Sequence, residues 1–338
     1  MKNTILTILL ALFFSFLNAQ GTRSVTVTGH CYLEDESDHS GTRVLFTAVS
    51  GSAVTDSVFT ESDGSYTAGI TEGIYTIVYS HDGFLPYTIP GELNFFDDIE
   101  LETLTLAFGN IQELSGTLSG NQYWTSDYQY WVTGDLSLSQ GDTLTIDPGV
   151  NVLFMGFFEF NIEGVLHAVG TEEDSIRFTS GQPEKNKGDW KWLYFDGNSD
   201  STSTSSLMAY TVVEYGGGDG TSGDYANIRC WEGAELVMQN CRVSHSIRHG
   251  IRLQYSADLT LTESSVHDNN DNGIYVWNYS TADISGNDIH NNNSHGILVY
   301  GNSTADISGN DIHNNNSRGI YVWNYSTADI SGNDIHNN

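Results

Sequence analysis

The stretch Ser244-His245-Ser246-Ile247-Arg248-His249-Gly250-Ile251-Arg252 brings two imidazoles and two guanidiniums together in a chain that is otherwise poor in base. Such groups can abstract a proton or hold an anion. No pair of carboxylates at a spacing suited to glycoside hydrolysis accompanies them. The cluster therefore reads as solvated surface before it reads as a catalytic set. A second candidate is aromatic. Ile274 and Val276 alternate with Tyr275 and Trp277, so a strand that buries the first pair presents the second. The same offset, 23 residues before or after, gives Trp231, Gln254, Tyr300 and Trp323, beside Arg229, Arg252, Leu298 and Tyr321. Trp231, Tyr275, Trp277, Tyr300, Tyr321 and Trp323 are thus the candidate ligand-binding residues. Rings repeated at about 4.8 Å could stack on sugars. The competing reading is that they only pack on one another.

Histidines form a third pattern. His267, His290, His313 and His336 recur every 23 residues, with Asp288, Asp311 and Asp334 two positions before the last three. Equal spacing suggests a row, whereas a metal needs ligands that converge. No cofactor is expected from it. The acidic turn 267–272 could hold calcium, although it lacks the EF-hand pattern. Cys31, Cys230 and Cys241 show no zinc spacing, and their expected role is that of small buried apolar residues. No glycine-rich loop precedes a helix, so no phosphate cradle is implied.

These groups need a scaffold, and the scaffold is visible as a repeat. Gly250, Gly273, Gly296 and Gly319 lie 23 residues apart, with Asn227 in the equivalent place one period earlier. A fixed period of this size with two-residue apolar alternation predicts a solenoid of β-strands. Each unit should form one coil of three short strands. The predicted inward columns are Ile251/Ile274/Ile297/Ile320, Leu261/Ile284/Ile307/Ile330 and Val266/Ile289/Ile312/Ile335. Asn287, Asn310 and Asn333 should form an amide ladder at a turn.

Further upstream, Gly134-Asp135, Thr143-Leu144-Thr145-Ile146, Pro148-Gly149-Val150, Gly164-Val165-Leu166, Ala168-Val169-Gly170-Thr171 and Ile176-Arg177-Phe178-Thr179 follow in order. That series resembles the opening coils of secreted right-handed parallel β-helix (pectin lyase-like) proteins. Those proteins include polysaccharide lyases and glycoside hydrolases, so the resemblance implies the fold and leaves the activity open. Arg248-His249-Gly250-Ile251 resembles the Gly-His-Gly element of polygalacturonase-like hydrolases, but the companion carboxylate motifs of that family are missing. In residues 24–105, Asp63-Gly64-Ser65-Tyr66, Gly73-Ile74-Tyr75-Thr76 and Gly83-Phe84 resemble the carboxypeptidase regulatory-like domain. That resemblance implies a small transthyretin-like sandwich serving as an accessory module.

The expected organisation is a signal peptide over 1–19, the sandwich over 24–105 and the β-helix over 107–338, all β throughout. Lys2 followed by the apolar run Ile5 to Leu17 and the small residue Ala19 gives the first assignment, and with it a secreted or cell-surface location. With 12 Lys and Arg against 43 Asp and Glu, the net charge is -31, which disfavours nucleic acid and anionic lipid as partners. No stretch after the signal is long and apolar enough to insert in a membrane. The final copy stops at Asn338 without a capping segment. A continuation beyond it, or end-to-end self-association through the open edge, is the expectation. The function these features favour is that of a non-catalytic, adhesin-like surface protein presenting an elongated face to an extracellular glycan or cell-surface polymer. The alternatives are a pectin lyase-like lyase or hydrolase, and a purely structural stalk.

Overall fold

A computed structural model describes residues 23–34, 36–50, 54–81, 83–107, 109–197, 205–219 and 225–338, divided into the compact units Met1–Asn110 and Ile111–Asn338. The expected signal sequence lies outside the described residues. In the first unit, Ser24–Leu33 alternates exposed and buried along its length, as a strand with one face on a core must. It pairs antiparallel with Ser65–Thr71. A second sheet is built on Arg43–Ser50 and Gly73–Ser80, also antiparallel. Val25, Val27, Phe46, Tyr75 and Ile77 share one buried cluster, so the two sheets enclose a sandwich core. Asp63-Gly64 turns the chain as expected, with Gly64 at φ 81°.

The second unit is a parallel β-helix. Every strand pairing in it is parallel. One face is a nine-stranded ladder running from Gln122–Trp124 to Thr327–Ser331. Two further ladders complete each coil, joined through the long strand Gln129–Leu138, which pairs with both Asn151–Phe154 and Phe160–Ile162. In the most regular part, one coil consists of Ile274–Trp277, Thr281–Ser285 and Asp288–His290. These are the first, second and third strands of the coil below. The 23-residue step holds from Ile228 onward: Ile228 pairs with Ile251, Ile251 with Ile274, and so on. Earlier coils carry insertions, so that Phe160 pairs with Leu193 and Leu193 with Ile228. The insertion after Ser180 is anchored by Trp190, which is fully buried, stacks on Phe154 at 4.0 Å and donates its indole N–H to the Glu214 carbonyl.

The inward columns are where the period puts them as far as Ile312, whereas Ile330 and Ile335 in the last coil are 46% and 45% exposed. Ile274, Val276, Ile284, Ile289, Ile297, Val299, Ile307 and Ile312 are all completely buried. The glycine column has a steric cause. A Cβ on Gly273 would lie 2.8 Å from the Gly296 carbonyl oxygen and 2.8 Å from the Asn292 amide nitrogen, and Gly250 and Gly296 are crowded in the same way. The asparagine ladder is present and fully engaged. Asn287 donates from its side-chain nitrogen to Asn310 Oδ1 (3.0 Å) and to the Leu261 carbonyl (2.9 Å), while its backbone N–H also donates to Asn310 Oδ1 (2.9 Å). A second such ladder, Asn269–Asn292–Asn315–Asn338, runs at the next turn. Within the runs Asn291-Asn292-Asn293 and Asn314-Asn315-Asn316, it is the first residue that takes the left-handed backbone. The second turns inward. All three cysteines are free and buried, and burial pushes the Cys230 thiol up to about 12.

Candidate functional site: the first-strand face

The first strands present two outward columns. One runs Tyr194, Arg229, Arg252, Tyr275, Leu298, Tyr321, and the other Asp196, Trp231, Gln254, then Trp277, Tyr300 and Trp323. All six candidate residues lie on this face. Trp323 is 60% exposed, and the other five are half-buried.

The face is not a bare row of rings. The Arg252 guanidinium lies on Tyr275 and Trp277, 4.9 and 4.7 Å from the ring centres. Arg229 does the same one coil earlier, over Trp192, Tyr194 and Trp231. Arg318 sits 4.5 Å over Tyr321. At the Gln254 position, where the ring sequence is broken, Tyr255 fills the gap. It meets Trp231 edge-on at 4.4 Å and Trp277 at 6.3 Å. The product is a continuous aromatic surface with embedded positive charge, in which cation–π contacts hold the rings in place.

Tyr255, Tyr279 and Tyr325 escaped the sequence reading. They follow the first strand at the turn and adopt left-handed backbone, at φ 56°, 65° and 62°. Their exposures are 41%, 63% and 88%. A bulky side chain in that region costs roughly 1–2 kcal/mol, and an exposed ring regains little of it by burial. Asn302, in the position of Tyr279 and Tyr325, takes the same conformation with a residue that tolerates it. The 23-residue period does align Ser256, Tyr279, Asn302 and Tyr325. What the sequence does not show is that this column is left-handed.

The basic stretch 244–252 does not form one site. His245, also left-handed, stacks on Tyr215 at 4.9 Å. Arg248 and His249 approach Asp271 at 3.9 and 3.8 Å, and Arg252 belongs to the aromatic face. Arg248 and His249 thus share Asp271, and His249 and Arg252 share the Tyr275 ring, while His245 lies apart on Tyr215. A different ionic cluster, missed because its members are far apart in sequence, gathers at Glu214. This buried carboxylate meets Arg242 at 3.2 Å and Arg177 at 3.9 Å and accepts from the Thr179 hydroxyl at 3.2 Å. Lys185 donates to the same hydroxyl, and burial draws its ammonium below the ordinary lysine range despite Glu214. Guanidiniums from the coils on either side thus bracket Glu214.

On the third-strand face, His267, His290, His313 and His336 stack at 4.8–5.0 Å with ring planes within 4° of parallel. In the turn 267–272, Asp268 receives the His267 ring nitrogen at 2.7 Å. Asn269 Oδ1 accepts from the Ser246 backbone N–H and Asn272 Oδ1 from the His295 backbone N–H, so two of the turn's oxygens are committed to the fold.

Comparison with known proteins agrees with this architecture. The family described as right handed beta helix region matches residues 226–338, and that described as pectate-lyase like beta helix domain matches 116–236. No curated protein matches the sequence significantly. Among solved structures, the enzymatically active domain of tailspike protein 2 from bacteriophage CBA120 is similar at 14% identity and a TM-score of 0.35, over 67% of this chain and 38% of that one. The A-module of a mannuronan C-5 epimerase from Azotobacter vinelandii is similar at 16% identity and a TM-score of 0.30, over 67% of this chain and 77% of that one. The chain thus spans well under half of the tailspike domain. Residues 116–338 form a right-handed parallel β-helix, whose coils over 116–236 are similar to the pectate-lyase like domain.

Proposed function

We propose that this is an exported, non-catalytic, adhesin-like surface protein whose first-strand face binds carbohydrate. The observation that carries the reading is the set of exposed tyrosines in left-handed backbone beside the aromatic–guanidinium surface. Rings needed only for packing would be buried, and rings of no use would be cheaper as asparagine, as at Asn302. Pyranose faces stack on such rings, and the accessible guanidiniums of Arg229 and Arg318 meet hydroxyls, while the buried Arg252 only supports the rings. The ligand-contacting residues are Trp231, Tyr275, Trp277, Tyr300, Tyr321 and Trp323, extended by Tyr255, Tyr279 and Tyr325.

The test is titration of the purified chain with a panel of neutral glycans, read by tryptophan fluorescence. A bound sugar displaces water from the indoles and should change their emission. Trp277→Ala should weaken binding about tenfold, the loss of roughly 1–2 kcal/mol expected for one aromatic contact, with little change in melting. A panel that leaves the fluorescence unchanged, or a Trp277→Ala chain that unfolds, sinks the proposal in favour of a structural stalk. Release of reducing or unsaturated ends from any glycan would instead establish the lyase or hydrolase alternative.

A further inference from the structure

We propose that the C-terminal coils carry two adjacent sites for a borderline divalent cation such as Zn2+, formed by Asp288, Asp311 and His313 and by Asp311, Asp334 and His336, with Asp311 shared. The ligand atoms of each group lie within 4.8 Å of one another. Spacing along the sequence suggested a row, and the structure turns that row into convergence. Each imidazole reaches back one coil: His313 Nε2 lies 3.1 Å from Asp288 Oδ1, and His336 Nε2 lies 3.2 Å from Asp311 Oδ1. The carboxylate of the imidazole's own coil approaches the same point, so ligands from two coils surround one position.

The Asn314 side-chain nitrogen lies 2.9 Å from His313 Nδ1, and the Asn337 side-chain nitrogen 2.9 Å from His336 Nδ1. With these amides donating, Nδ1 accepts and Nε2 carries the proton that faces the carboxylate one coil back. A bound cation would take the place of that proton. Stacking on the neighbouring rings fixes the ring planes.

Charge favours occupancy. Asp288, Asp311 and Asp334 pair in register one strand spacing apart, so like charges face each other along the axis. A divalent ion between them relieves that repulsion. One imidazole nitrogen with two carboxylates suits Zn2+, Co2+ or Ni2+ better than calcium, which takes oxygen ligands. The parallel acidic column Asp283/Asp306/Asp329 shows no such grouping with histidine. In the coils before Asp288 the same outward column holds Arg242 and Ser265, which confines the pair of sites to the last three coils.

Isothermal titration of the full chain with Zn2+, before and after substitution, tests this directly. The wild-type chain should bind saturably, and the metal should raise its melting temperature because only the folded ladder assembles the sites. Asp288→Asn should remove one equivalent and leave the other. Asp311→Asn should weaken both sites at least tenfold and abolish the melting shift. Its metal-free melting should be unchanged or slightly higher, since Asp311 is half exposed, outside the core and flanked by like charges. Saturable binding that Asp311→Asn and His313→Gln leave within twofold of wild type would overturn the proposal, as would a wild-type chain with no saturable binding. Competition by a tenfold excess of calcium would mark a carboxylate-only site and overturn the assignment of the imidazoles.

Discussion

Two asparagines in neighbouring turns show how differently the same residue type can be used. Asn310 is buried: its Nδ2 donates to Asn333 Oδ1 at 2.8 Å and to the Ile284 carbonyl at 2.9 Å, while its Oδ1 accepts from Asn287. Asn310→Ala would strand several of these groups in the core, and the expected cost is about 2–4 kcal/mol by chemical denaturation. Asn302 is exposed, which by itself suggests a neutral site, but its φ of 62° changes that. Asn302→Ala should cost about 1 kcal/mol through backbone strain, whereas Asn302→Gly should be close to neutral. Tyr279 offers the converse experiment. Tyr279→Asn should leave the melting temperature unchanged or higher while weakening glycan binding, and a clear drop in melting would assign that ring to packing.

At the scale of the strand and its ladder, identical neighbours above and below make each column both stable and unforgiving. Ile307 is completely buried between Ile284 and Ile330 in register. Ile307→Asp would bury an unpaired charge and should lower stability by several kcal/mol, while Thr304→Ser on the exposed side of the same strand should be nearly silent. Equal melting shifts for the two would refute the inward–outward phase. The histidine ladder gives the third strands their pH dependence. Burial holds His290 below its ordinary value, outweighing the nearby Asp288 carboxylate, and burial lowers His245 and His295 in the same direction. The folded chain therefore favours the neutral imidazoles. As pH falls through about 6.5 the unfolded chain takes up protons first, so stability should decline on acidification across that window and be restored above it. Replacing His290 by Gln should flatten part of the slope. An unchanged melting temperature between pH 7.5 and pH 5.5 would contradict the burial argument.

For the whole molecule, charge decides which partners can approach. The net charge of -31 coexists with only 12 basic residues, and nine of these lie between Arg177 and Arg318, on the β-helix. Arg229, Arg252 and Arg318 sit against rings of the candidate face. They supply local positive charge within a field that is negative overall. A neutral glycan should accordingly bind better than a uronate polymer of equal length at low salt. Raising salt to 0.15 M or above, where the screening length is about 8 Å, should narrow the difference. A uronate that binds more tightly at low salt would show that the arginines, and not the net charge, set the selectivity.

Much of this was written into the sequence. A 23-residue period with glycine, isoleucine and asparagine at fixed phase determines the coil, because each copy meets the same surroundings above and below and the pattern need satisfy only one environment. The inward columns, the Asn287 ladder and the outward position of Trp277 follow from that phase alone. The tertiary structure decided what the phase does not encode. Side chains far apart in sequence meet at Glu214. The second asparagine ladder turns inward while the residue before it takes the left-handed turn. Tyr255, Tyr279 and Tyr325 stand strained and exposed beside the rings. Carboxylates and imidazoles from successive coils converge where equal spacing implied only a row. The physical reason is common to all four: the period fixes which residues share a column, but the turn conformation between strands and the reach of each side chain across the 4.8 Å step fix which of them touch.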